Sequence, residues 1–74
     1  MALEAIVNRE GVFRVVLEEQ PEGVYVYVFD TPENPWPYRD HLQNDWPMAK
    51  HAASEDYETT EDMWTEIPDT HIHG

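Results

Sequence analysis

The chain has no cysteine. Neither a disulfide framework nor a thiolate metal site can be built, and a reducing compartment, the cytoplasm, is the expected setting. Long apolar runs are missing too. Nothing approaches the roughly 20 residues that span a bilayer, and no basic region leads into an apolar stretch at Met1 to Ala5, so no secretion signal is expected. Basic side chains are scarce, four against sixteen acidic ones, giving a formal net charge of −12. Such a surface repels phosphate backbones and anionic lipid, which argues against direct nucleic-acid or membrane binding. A basic protein partner remains open, although acidity by itself also keeps a small protein soluble. Glycine is rare and forms no phosphate-binding loop. The single serine, Ser54, falls in a helical stretch with no strained turn to activate it, which argues against a nucleophilic triad.

What is present centres on Val12 to Asp30. Two β-branched and aromatic runs, VFRVVLEE and VYVYVFD, flank Gln-Pro-Glu-Gly, a strong hairpin signal. The turn is either two residues long, with Gln20 facing Gly23, or four, with Glu19 facing Val24. Both lengths give one register, in which Leu17 faces Val26, Val15 faces Val28, Val16 faces Tyr27, Arg14 faces Phe29 and Glu18 faces Tyr25. Because side chains alternate along a strand, one face carries Phe13, Val15, Leu17, Val24, Val26 and Val28, an aliphatic core surface. The other carries Arg14, Val16, Glu18, Tyr25, Tyr27 and Phe29. Upstream, Leu3 to Asn8 reads as a first strand, joined by a three-residue loop at Arg9-Glu10-Gly11 whose glycine suits positive φ. Val7 then faces Phe13 and Ala5 faces Val15, and Ile6 joins Arg14 on the second face.

Beyond Asp30 the pattern changes. Thr31 to Tyr38 holds Pro32, Pro35 and Pro37, which excludes helix and central strand and favours extended backbone. Its plain role is a covering loop whose Trp36 and Tyr38 pack on the sheet; its functional role would be a proline-rich ligand for an aromatic groove. Arg39 to Tyr57 reads as the helical region. Asp40 and Gln43 could open a first turn, but Pro47 suits the first turn of the main helix, so Asn44 or Asp45 is the better cap. Trp46, Ala49, Ala53 and Tyr57 then form one stripe. Met63 to Ile67 reads as a last strand, ended by Pro68.

The expected fold is one α+β domain over residues 1–68, β-β-β-α-β, with the helix on the aliphatic face. Residues 69–74 are expected to form a flexible tail. The last strand is expected beside the first and parallel to the third. A domain this short buries only about 60% of its unfolded surface, so its core has little to spare. The order of hairpin, Asp40-His41-Leu42-Gln43, Ala49-Lys50, Glu55-Asp56-Tyr57, Trp64 and Ile67 resembles small uncharacterised bacterial proteins that pair a strand meander with one helix. That resemblance implies no activity. Where its pattern would carry glycine after the tyrosine, this chain has Glu58.

Metal and cofactor signals are weak. His51 and Glu55, or His41 and Asp45 if helical, stand one turn apart, a spacing also common on solvated faces. Asp69, His71 and His73 alternate in the tail, where ordering a flexible segment opposes binding. No metal and no cofactor are expected. Two functions are weighed. The first is a non-enzymatic protein-interaction module using the aromatic face, with Tyr25, Tyr27, Phe29, Arg14, Val16 and Trp36 as the contact residues and Tyr25 and Tyr27 at its exposed centre. The second is a small-molecule binder or minor enzyme using the same face, with Arg14, Glu18 and a histidine as polar groups. Mutual repulsion of chains of charge −12 favours a monomer in isolation over a homodimer.

Overall fold

A computed structural model describes residues 1–72. It contains β1 (Ala2–Arg9), β2 (Val12–Gln20), β3 (Gly23–Phe29), β4 (Arg39–Gln43), α1 (Trp46–Tyr57), a single 3-10 turn (Glu61–Met63) and β5 (Trp64–Ile67). The strands form one sheet in the order β4-β3-β2-β1-β5, and every neighbouring pair is antiparallel. The fold is therefore α+β, with a strand meander, one helix and a short final strand. The central hairpin has the register dictated by its alternation, from Arg14↔Phe29 through Leu17↔Val26 to Gln20↔Gly23. Gly23 has positive φ, and a Cβ on it would collide with the carbonyl oxygen of Gln43 on β4. Glycine thus permits the turn and also lets the next strand close against it.

Arg39–Gln43 is a strand, where a first helical turn was a possible reading. The outer edge of β3 would otherwise expose a row of backbone donors and acceptors. Tyr38 N–H donates to the Val28 carbonyl at 3.0 Å and starts the pairing. Asp45 then caps α1, its side chain accepting from Met48 N–H at 3.0 Å. The extra strand reverses the chain once more before the helix. β5 accordingly lies beside β1, as expected, but antiparallel to it, and so antiparallel to β3 rather than parallel.

The β1–β2 connection also differs from the three-residue loop. Arg9 pairs with Val12 across Glu10-Gly11, and the register slips by one between Ile6 and Arg9. Asn8 takes positive φ within that slip, a conformation that asparagine tolerates better than most residues. Val12, not Phe13, packs against the helix-side core, and Phe13 is only partly buried.

On the helix side Val15, Leu17, Val24, Val26 and Val28 pack with Ala49, Ala53 and Tyr57. The two alanines let the helix lie close, and each large aliphatic chain so buried contributes about 1.5–3 kcal/mol. The helix ends at Glu58, which adopts the left-handed conformation and donates its N–H to the Ser54 carbonyl at 3.0 Å. Glutamate thus occupies a position that favours glycine.

The opposite face holds a second, smaller core of Ala2, Val16, Tyr27 and Phe29, with Tyr25, Ile67 and Ile72 packed against it. Residues 69–72 are docked on this face rather than hanging free. The Glu18 carboxylate, only 1% exposed, accepts from both the N–H and the hydroxyl of Thr70. Asp69 pairs with the Met1 amine at 2.9 Å. Residues 73 and 74, and with them His73 as a potential metal ligand, lie outside the described residues.

Candidate functional site

The second sheet face combines side chains from all five strands. Residues opposite one another share a face, so Tyr25 stands beside Leu42, and Tyr27 beside Val16 and Asp40. The Tyr25 and Tyr27 rings stack with centroids 5.8 Å apart, and the Tyr25 hydroxyl donates to Glu22 at 2.9 Å. That hydrogen bond, foremost, raises the Tyr25 pKa. Burial, foremost, raises that of Tyr27, with Glu18 adding to it.

The structure divides the expected contact residues into two groups. Tyr27 is 0% exposed, and Val16 and Phe29 are buried with it under Ile67 and Ile72. An open patch centred on both tyrosines therefore has to be corrected: the tail segment covers Tyr27, and only Tyr25 remains partly open. Arg14 lies over the Phe29 ring at 3.9 Å and pairs with Glu4 at 2.7 Å. With Arg14 engaged by Glu4 and Glu18 by Thr70, two of the polar groups of the small-molecule reading already have partners within the chain.

Trp36 and Tyr38 do not pack down as a covering loop. They are 64% and 50% exposed. The proline-rich segment is tied at its ends instead, since Asn34 accepts from Trp36 N–H at 3.1 Å and Tyr38 N–H reaches the Val28 carbonyl. The backbone bends repeatedly between Thr31 and Tyr38 instead of running extended, and the rings are left outside. Leu42, 45% exposed, is the residue the sequence reading missed. A helix start over Asp40-His41-Leu42-Gln43 gives no sign that Leu42 shares a sheet face with Asp40, two positions earlier. The apolar groups at this edge are thus the exposed Tyr38 and Leu42 and the partly open Tyr25, with Glu22 and Asp40 among them.

The remaining polar candidates stay apart. His41 is on a strand, opposite Val26, so it does not share a helical turn with Asp45. His51 lies 3.5 Å from Glu55 on an exposed helix face. Among the described residues no group of three or more His, Cys, Asp or Glu side chains is placed to hold a metal ion, and no helix is long and apolar enough to cross a membrane. No protein-family model matches the chain, and no curated protein and no solved structure matches it either.

Proposed function

We propose that the protein is a non-enzymatic interaction module that binds a basic protein partner through its β4 edge. The observation that carries this reading is the exposure of Tyr38 and Leu42 along the β4 edge, beside a partly open Tyr25 and the acids Glu22 and Asp40. Rings and an aliphatic side chain supply burial, and the acids supply orientation and rate. Edge strands also offer backbone donors and acceptors to an incoming strand. The net charge of −12 steers a basic surface toward the site from a distance, and the cysteine-free sequence suits work in the cytoplasm.

The test is recovery of the tagged chain from its native host, in parallel with Leu42→Asp. One stoichiometric basic protein, retained by the parent chain, weakened by added salt and lost with Leu42→Asp, is the expected result. A co-purifying small molecule would favour the ligand-binding alternative. A partner indifferent to both salt and Leu42→Asp would place the contact elsewhere.

A further inference from the structure

β4 stands at one end of the sheet, with β3 on one side and no strand on the other. Folded proteins commonly blunt such an edge with proline, lysine or a bulge. Arg39–Gln43 contains neither proline nor lysine, and its register on β3 runs unbroken from Val28↔Arg39 to Val24↔Gln43. Arg39, Asp40 and Leu42 are exposed. The edge is therefore regular and open. We infer that the basic partner adds to it as a sixth, antiparallel strand, with an apolar side chain opposite Leu42 and a lysine or arginine opposite Asp40. This rests on the function proposed above and adds the form of the ligand and the order of its side chains.

The pattern follows from the rows of side chains that the sheet already holds. Residues opposite one another share a face. Glu18, Tyr25 and Leu42 make one row across β2, β3 and β4. Leu42, at its outer end, is 45% exposed, so an apolar residue in the next place buries it. Val16, Tyr27 and Asp40 make the neighbouring row. A carboxylate accepts from several donors at once, so a cation beside Asp40 is favourable and an acid there is unfavourable. Arg39 alternates to the helix side, where its guanidinium donates to the Tyr57 hydroxyl at 3.3 Å, away from the incoming cation. Every ladder in the sheet is antiparallel, and that pairing is slightly more stable per residue than the parallel one. Read from its N-terminus, the partner strand then carries the apolar residue first and the basic residue two positions later. A second copy of this chain fits the edge poorly, because it brings one net charge of −12 against another.

Two peptides of equal composition and charge test the order. They are acetyl-Thr-Val-Thr-Lys-Thr-amide and acetyl-Thr-Lys-Thr-Val-Thr-amide, each added at millimolar concentration to the isotopically labelled full chain. The first should shift the backbone amide signals of residues 39–43 and bind about two- to fivefold more tightly than the second, the effect of one cross-strand pair. Asp40→Lys should reverse the charge requirement and prefer acetyl-Thr-Val-Thr-Glu-Thr-amide to the lysine peptide of the same order. A dispersed amide spectrum shows that the variant is folded. Tighter binding of the Lys-first peptide overturns the antiparallel order, and equal binding of the two overturns the register. Unmoved signals at 39–43 with both peptides overturn strand addition. If the native host still yields a basic protein that Leu42→Asp loses, that last result removes the sixth strand and leaves the basic partner. Ordered peptide binding with no basic protein recovered keeps strand addition and removes the partner proposed above. Concentration-dependent shifts of the same amides without peptide would seat a second copy on the edge and overturn the inference.

Discussion

On the helix side the sheet presents Val15, Leu17, Val24, Val26 and Val28 to a helix three turns long. On the other side it presents Val16, Tyr27 and Phe29 to a few residues after β5. The first cover is regular secondary structure, capped at Asp45 and bound by apolar packing. The second depends on Ile67, Ile72 and a carboxylate–threonine contact. Apolar burial is proportional to area and tolerant of detail, whereas a buried carboxylate is favourable only while its partners stay in place. The two faces should therefore fail in different ways. Damage to the helix side lowers global stability, and damage to the tail side opens one face.

The largest effect is expected at Leu17, which is fully buried at the centre of the helix-side core. Leu17→Ala should cost about 2–5 kcal/mol, a large share of the stability of so small a domain. Thermal or urea unfolding would read it, and an unchanged midpoint would contradict the register of the central hairpin. Thr70→Val is the matching test of the second face. It removes the hydroxyl donated to Glu18 and should weaken docking of the tail by about 1.5–3 kcal/mol, the range for hydrogen bonds to charged groups. Hydrogen exchange should show faster exchange at Ile72 while Leu17 stays protected. Equal acceleration at both positions would mean that the two faces open together and that the contrast drawn here is false.

How far each face was legible in the sequence follows the same division. The central hairpin could be read residue by residue, because Val12 to Asp30 alternates cleanly and its turn lengths share one register. The helix was legible through Asp45, Pro47 and the Trp46–Ala49–Ala53–Tyr57 stripe, since capping and periodicity are local. β4 was hidden because Asp40-His41-Leu42-Gln43 satisfies a helix-start pattern locally, and only the unpaired edge of β3 makes it a strand. The cover over Tyr27 was hidden for a related reason. Contacts such as Thr70 with Glu18 join residues 52 positions apart, and no periodicity in Asp69-Thr70-His71-Ile72 announces them. Of the expected contact residues, the sequence could place Tyr25, Tyr27 and Phe29 on one face but could not show which of them the tail would bury.

A smaller effect tests the end of the helical cover. Glu58 has φ 60°, a conformation that costs an L-residue with a side chain roughly 1–2 kcal/mol. Glu58→Gly relieves that cost, at the loss of the exposed pair with Arg9 and some gain in unfolded-chain entropy. A net gain of about 0.5–1 kcal/mol is expected, read as a higher urea midpoint with unchanged slope. A decrease would show that the Arg9 pair, and not backbone geometry, governs how α1 ends.

The smallest effect concerns pH, and it should touch the tail face alone. The Met1 amine holds Asp69 below its ordinary value of 3.8, chiefly through their hydrogen bond. Asp69, in turn, raises the amine above its ordinary 8.0. For the carboxylate, the folded value is depressed, so its contribution is present above 3.8 and is lost as pH falls through the lower folded value. For the amine, the folded value is raised, so its contribution is present below 8.0 and is lost as pH rises through the higher folded value. Both groups lie at the surface, where solvent screens the pair, and only a small change in tail docking is expected. The Ile72 methyl signals should therefore hold steady between the two limits and drift toward solvent-exposed positions beyond either one, while the Leu17 methyls stay fixed. Asp69→Asn should abolish the alkaline drift, because the amine then has no carboxylate to lose. If the Ile72 signals of the parent chain are flat across both limits, the Met1–Asp69 pair does not help to hold the tail, and the second face is closed by Glu18, Ile67 and Ile72 alone.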